Sequence, residues 1–272
     1  MAPLTTYDDM RTERRGALTI HLRDDVPLEA VLEALRAQGE VLKVSPKTVT
    51  KRVGEWVVKQ SRFQAGLGPL KHTLCRNRYR AGWRAASRLE PRGVGVPRPV
   101  AYIEQGRLGI IVGNAVVSEF LDGFRNVEQH AAELAANRAS QETVGAFLDG
   151  LAGAVNELTA ADAFHTDLSG KNVFTQDGAA FYFIDLDGVV LDQPYTEQLR
   201  MKNHVQLYDS FCDLFDDGLL GPFLARMLPA GQPISEWLAA VRARQRVRRA
   251  RTVAKWKKQG KLDSTPNEGG PP

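Results

Sequence analysis

The stretch His165-Thr166-Asp167-Leu168-Ser169-Gly170-Lys171-Asn172, followed by Ile184-Asp185-Leu186-Asp187-Gly188, decides how this chain is read. Between the two pieces, Val173-Phe174 and Ala180-Phe181-Tyr182-Phe183-Ile184 read as short strands, and Asp177-Gly178 is a hairpin-turn signal. Such a hairpin brings Asn172 and Asp185 to the same end of a two-stranded ribbon. Upstream, Val144, Phe147, Leu148, Leu151, Val155 and Leu158 recur at helical intervals in an amphipathic stretch that runs to Phe164. A helix-exit loop and a ribbon end thus supply two carboxylates and an amide, oxygen donors suited to a hard divalent cation. Taken apart, Asp167 and Asn172 are loop caps and the second piece is an ordinary turn. In this order, with a hairpin between them, they read as one site. Asp187 is either a second metal ligand or the turn residue before Gly188.

The pattern H-x-D-L-x-x-x-N, then an apolar strand ending in Asp, is a spacing that phosphoryl transfer uses. That chemistry needs little covalent help from protein; positioned charge and one base cover most of it. Asp167 is the candidate base that orients and accepts the acceptor proton, and Asn172 and Asp185 are the candidate magnesium ligands. Lys59 ends the strand Trp56-Val57-Val58-Lys59. It is either the cation that such a site presents to nucleotide phosphates or an ordinary surface lysine. No G-x-G-x-x-G precedes it; Ser45-Pro46-Lys47 occupies the first hairpin turn.

At 272 residues the chain can bury a substantial core in one large domain or two lobes. No apolar run approaches the roughly 18 residues of a membrane span, and the first residues are polar, without a signal-peptide core. The two cysteines, Cys75 and Cys212, lack CxxC or Cys/His clustering. Neither a disulfide framework nor a zinc site is therefore indicated, and a reducing, cytoplasmic compartment is expected. The net charge of +4 conceals an asymmetry. From Ser235 to Leu262 ten Lys/Arg accompany one acid, Glu236, so that segment is +9 and the remainder −5. A basic helix on a mildly acidic body suggests an anionic partner, unless it serves only solubility. Nucleic acid is the weakest candidate, because no reader motif accompanies the charge.

Along the chain, residues 17–23 alternate as a strand and 27–38 form a short helix stopped by Gly39. Strands follow at 40–44, 48–53 and 55–60. A helix is expected from about Leu70 to Leu89, with strands at 100–104, 108–112 and 115–120. After Gly123 the chain turns mostly helical. This predicts an α+β chain with a β-rich first lobe (1–122) carrying one main helix and a helical catalytic lobe (123–234). A basic helix (235–262) and a disordered tail (263–272) complete it.

Five pieces together resemble the lipopolysaccharide core kinases of the Kdo/WaaP type, small relatives of the protein kinases. They are Trp56-Val57-Val58-Lys59, Gly93-Val94-Gly95-Val96-Pro97-Arg98-Pro99-Val100-Ala101, Ser118-Glu119-Phe120-Leu121, His165-Thr166-Asp167-Leu168 with Asn172, and Ile184-Asp185-Leu186-Asp187. The likeness spans roughly Val41 to Asp217. It implies a two-lobed protein-kinase-like fold and ATP- and Mg2+-dependent phosphorylation of a Kdo or heptose hydroxyl in the lipopolysaccharide inner core. It also implies work at the inner face of the inner membrane, a peripheral, cytoplasmic location reached through the basic helix. Lys59 would contact nucleotide phosphates, Asp167 act as base, and Asn172 and Asp185 hold magnesium. Backbone groups around Glu119 and Leu121 would hydrogen-bond adenine. One departure is plain: the family pattern places a Glu before the Trp of the first-lobe helix, and Gly82 stands before Trp83. That helix instead carries Arg76, Arg80, Arg84 and Arg88, facing either a phosphorylated acceptor or solvent. A small-molecule or protein kinase, and a nucleotide-binding pseudokinase, are the competing readings.

Overall fold

The computed structural model describes residues 9–61, 77–107 and 110–258. Seven strands form one antiparallel sheet: β1 (Met10–Arg15), β2 (Leu18–Arg23), β3 (Glu40–Val44), β4 (Thr48–Val53), β5 (Trp56–Ser61), β6 (Pro99–Arg107) and β7 (Ile110–Glu119). Their spatial order is β1-β2-β6-β7-β5-β4-β3. Strand alternation sorts the side chains into two faces. Ile20, Leu22, Val58, Ala101, Ile103 and Val117 meet helix α1 (Leu28–Arg36), which contributes Val31 and Leu32. Helix α2 (Arg78–Leu89) covers the opposite face through Tyr79 and Trp83 against Tyr102. Directly opposed pairs place Tyr102, Val116, Lys59, Thr50 and Lys43 in one row on this second face.

Several expectations change, and Lys59, expected to end its strand, lies two residues inside β5. β1 lies in a segment read only as polar. Its hold is not apolar: the Arg11 guanidinium donates to the carbonyls of Arg23, Asp24 and Val26, each at 2.8 Å. The two strands expected at 108–112 and 115–120 are one, β7. Asn114, a residue that favours turns, is drawn into the strand because its side chain is buried and accepts from Asn77 Nδ2 at 2.8 Å. The helix expected from about Leu70 is described only from Arg78, capped by Asn77, whose side chain accepts from the Tyr79 and Arg80 N–H groups. The earlier part of that expectation, with Arg76, lies outside the described residues.

The second half is mostly helical: α3 (Val127–Ala136), α4 (Gln141–Ala160), α5 (Glu197–Phe211), α6 (Asp217–Ala225) and α7 (Ile234–Lys258). Short strands β8 (Arg125–Asn126), β9 (Ala163–His165), β10 (Val173–Thr175), β11 (Phe181–Phe183) and β12 (Val189–Leu191) interrupt it. The apolar stripe of α4 (Phe147, Leu148, Leu151, Val155, Leu158) forms the core with Phe211, Phe223 and Trp237. Helix α4 stops at Ala160, short of Phe164. Asp162 takes a left-handed conformation at φ 53°, which ends the helix and sends Ala163–His165 into pairing with β12. The Gly93–Pro97 loop runs beside β11, where Phe183 N–H donates to the Gly95 carbonyl at 2.8 Å. A Cβ at Gly95 would lie 1.9 Å from the Phe181 carbonyl oxygen, so only glycine fits there.

Helix α7 docks by its first turns. Val241 is fully buried, and buried Trp237 donates its indole N–H to His204 Nδ1 at 2.8 Å. Farther along, Arg242 pairs with Asp217, Arg248 with Asp209, and Arg249 with both Asp209 and Asp213. Part of the basic charge therefore binds the body of the protein rather than an outside partner. Arg244, Arg246, Arg251, Lys255 and Lys257 stay exposed.

Burial, helped by nearby Arg200, pushes His204 down from 6.5 to about 3. Between those values the unfolded chain binds a proton that the folded chain excludes. Stability at this site is complete above pH 6.5 and is lost as the pH falls below it. Urea unfolding between pH 7 and pH 4 should show this loss at up to about 1.4 kcal/mol per pH unit from this one group. A flatter slope is expected in His204→Gln.

Candidate active site

β9 delivers His165 to the base of a cleft, almost wholly buried at 1 % exposure. Burial, against weaker opposing contributions, holds its pKa below the usual histidine value. The neutral ring has a defined tautomer: Nδ1 accepts from the Asp167 N–H at 3.2 Å, so Nε2 donates to the Ile184 carbonyl at 3.0 Å. One imidazole thus ties the loop bearing Asp167 to the strand end bearing Asp185.

Helix α5 sets the rest of that loop. Asn203 Nδ2 donates to the His165 carbonyl at 2.8 Å and to Gln206 Oε1 at 3.0 Å. Gln206 Oε1 also accepts from the Leu168 N–H at 3.0 Å, and its Nε2 donates to the Thr166 carbonyl at 3.1 Å. Ser210 Oγ accepts from the Gly170 N–H at 2.9 Å. These three residues escaped the sequence reading. Their signal was available: polar residues spaced 3 and 4 apart, a helical repeat that puts them on one face.

Asp167 and Asn172 sit together. Asn172 Nδ2 donates to the Asp167 carbonyl at 2.8 Å and to its Oδ2 at 3.2 Å. Both amide protons are therefore used, and among the described residues the Asn172 Oδ1 is left without a hydrogen bond. The ribbon register pairs Val173 with Phe183, and Ile184 N–H donates to the Asn172 carbonyl at 2.9 Å. Asn172 and Asp185 are consequently at the same end of the ribbon. Asp185 leaves the strand in the left-handed region (φ 56°, ψ 43°), which Asp tolerates better than most side chains.

Across the cleft, Lys59 Nζ lies 2.7 Å from Asp185 Oδ1 and 3.8 Å from Asp187 Oδ2. Burial works against the Lys59 ammonium, but the two carboxylates outweigh it and hold the pKa above the ordinary lysine value. Burial likewise opposes ionisation of Asp185, and Lys59 with Arg78 and Lys43 together outweigh it, keeping Asp185 below the ordinary carboxylate value. Lys43, in the same sheet row, adds to that lowering. Arg78 Nε lies 2.9 Å from Asp187 Oδ2. Lys43, Arg78 and this role of Asp187 were invisible without strand register and helix placement.

Glu119 and Leu121 stand apart from this cluster, at the end of β7 and in the turn after it. The Glu119 N–H donates to the Arg98 carbonyl at 2.9 Å and is spent. No described residue accepts the Leu121 N–H. The arginines of α2 are mostly committed: Arg80 pairs with Glu104 and Arg88 with Asp192, neither facing an acceptor nor merely solvated.

The donor set suits a hard cation bridged to phosphate. A carboxylate and an uncommitted amide oxygen share one ribbon end, with ammonium groups beside them. Among the described residues no three His, Cys, Asp or Glu side chains group as a metal site. A magnesium site with only two protein ligands needs no such group, because Mg2+ usually keeps several waters.

A family model described as "Lipopolysaccharide kinase (Kdo/WaaP) family" matches residues 47–221. No curated protein matches the chain. Among solved structures, "WaaP in complex with acyl carrier protein" superposes with a TM-score of 0.61 at 22% identity, covering 82% of this chain and 91% of that one. The likeness bears out the expected α+β, protein-kinase-like fold.

Gln206 is only 6 % exposed, so replacing it strands the Leu168 N–H and the Thr166 carbonyl. Gln206→Leu is expected to lower unfolding free energy by about 1–3 kcal/mol in denaturant titrations.

Proposed function

We propose, from the premise that the chain belongs to the lipopolysaccharide kinase (Kdo/WaaP) family, that it moves the γ-phosphoryl group of ATP onto an inner-core sugar hydroxyl, Kdo or heptose. The observation that carries this reading is the convergence of Lys59, Asp185, Asn172 and Asp167 from opposite sides of one cleft. Asp185 and Asn172 would hold magnesium, which would supply positive charge to the phosphate oxygens. Asp167 orients the sugar hydroxyl and takes its proton as the oxygen attacks the γ-phosphorus in line and the bond to the β-phosphate oxygen breaks. The leaving ADP keeps that bond's electron pair. Lys59 steadies the developing negative charge, the larger part of the catalysis in such a transfer. At the far wall, the Leu121 N–H and the Glu119 carbonyl are the groups assigned to adenine. Lys43, reaching from β3, is assigned to the phosphates in place of a glycine-rich loop.

Helix α7 supports work at a membrane surface. Among the described residues no helix is long and apolar enough to cross a bilayer. Attachment would rest on the exposed Arg244, Arg246, Arg251, Lys255 and Lys257, each worth about 1 kcal/mol against an anionic leaflet.

Incubation with ATP, Mg2+ and either lipid A–core or soluble sugar and protein acceptors tests the assignment by mass spectrometry. One added phosphate on the glycolipid is the expected product; transfer only to soluble acceptors would assign a different kinase. Asp167→Ala should lower kcat by about 10²–10⁴-fold while nearly preserving ATP affinity. Asp185→Ala should weaken Mg2+-dependent ATP binding. Full turnover by Asp167→Ala would remove the base, and no transfer by the unaltered chain would favour a nucleotide-binding pseudokinase.

Replacing the five exposed cations of α7 with Gln should abolish cosedimentation with anionic vesicles at physiological salt. Neutral vesicles should bind neither form.

A further inference from the structure

Helix α2 meets the Asp185 turn closely at Gly82. A Cβ built on Gly82 would lie 3.1 Å from the Asp187 N and 3.4 Å from its Cα. A carboxylate side chain carried there by the helix would need the turn to give by a few tenths of an ångström, so glycine suits this crossing. The turn supplies its own instead. Asp187 is only 10 % exposed in its side chain, and it faces Lys59 at 3.8 Å and Arg78 at 2.9 Å.

Lys59 therefore stands between two carboxylates on one turn, 2.7 Å from Asp185 and 3.8 Å from Asp187. The two acids are not equivalent. Asp185 lies in the left-handed region at the ribbon end and is about half exposed, at 47 %, beside the Asn172 carbonyl contact. Asp187 is enclosed under α2, and the Arg78 guanidinium binds its Oδ2, the same oxygen that faces Lys59. Asp185, the more exposed acid, would hold a divalent cation at the ribbon end, and Lys59 would then lose it as a partner. In phosphoryl-transfer sites the strand lysine must keep a carboxylate partner while the metal ligand is occupied.

We propose that Asp187 is the positioning residue for Lys59. When Asp185 is engaged by metal, the Lys59 ammonium passes to Asp187, which Arg78 holds in place. This deepens the kinase reading above and rests on it for its catalytic consequence. Two successive acids on one short turn divide the work that a ribbon-end acid and a helix acid would otherwise share. The lysine partner is then set by the turn that also sets the metal ligand.

The test removes the first partner and reads the lysine directly. In Asp185→Asn, with lysines labelled at the ε-carbon and Lys59→Arg used to assign the signal, the Lys59 resonance is titrated by NMR. Transfer to Asp187 predicts a midpoint at or above that of an unperturbed lysine, about 10.4. A midpoint below it would mean that burial acts unopposed and would overturn the proposal. Adding Asp187→Asn should then lower the midpoint; no change on doing so would also overturn it. In otherwise unaltered protein, Asp187→Asn should cut kcat about 10²-fold with little change in acceptor KM, and Asp187→Glu should restore most of it. Equal turnover by Asp187→Asn and the unaltered chain would overturn the catalytic consequence. If the unaltered chain transfers phosphate to no acceptor, the kinase reading fails, whereas the lysine titration still decides where Lys59 goes.

Discussion

The ammonium of Lys59 and the carboxylate of Asp185 come together across 126 positions of sequence, and the cleft depends on that meeting. One group lies in a strand of the antiparallel sheet, two residues before its end, and the other follows a two-stranded ribbon in the helical half. Neither is fully buried, so each retains part of its hydration. Attraction between them stays available for exchange with a bound cation or phosphate. A pair sealed in the core would have been costly to desolvate and costly to open.

Everything around the pair acts to keep its members in place. On the helical side, neutral His165 binds the Asp167 loop to the strand that precedes Asp185. Asn203, Gln206 and Ser210 then satisfy backbone groups that the irregular loop would otherwise bury without partners. On the sheet side, Asn77, Tyr102 and Asn114 form a buried hydrogen-bonded set that seats the start of α2. Buried polar networks of this kind fix geometry that apolar packing alone leaves adjustable. The closeness of Gly82 to Asp187 follows from that seating.

The basic helix shows how charge counts mislead when read along a line. Ten cations in one segment suggest a partner outside the protein, yet Arg242, Arg248 and Arg249 turn inward to Asp217, Asp209 and Asp213. The acids that neutralise them belong to α6, to α5 and to the segment just after it. Only the helix-to-helix packing distinguishes the cations that dock the helix from those left to meet an anionic surface.

Much of the architecture was legible in the residues themselves. The spacing of His165, Asp167 and Asn172, the hairpin signal at Asp177-Gly178 and the apolar strand before Asp185 specify their local structure, because turns, caps and short ribbons are decided by neighbours in sequence. The apolar stripe of α4 and the strands from Glu40 to Ser61 were readable for the same reason. Three things were not: the charged edge strand at Met10–Arg15, the continuity of β7 through Asn114, and the end of α4 before Phe164. The first two are held by long-range hydrogen bonds, and the third by a single left-handed residue that leads into pairing with β12. Sequence alone also supplied Lys59 and Asp185 as candidates, but only strand register and helix docking decided that they touch. Those same tertiary contacts enclosed Asp187 beneath Gly82, because distance between side chains remote in the chain is a property of packing.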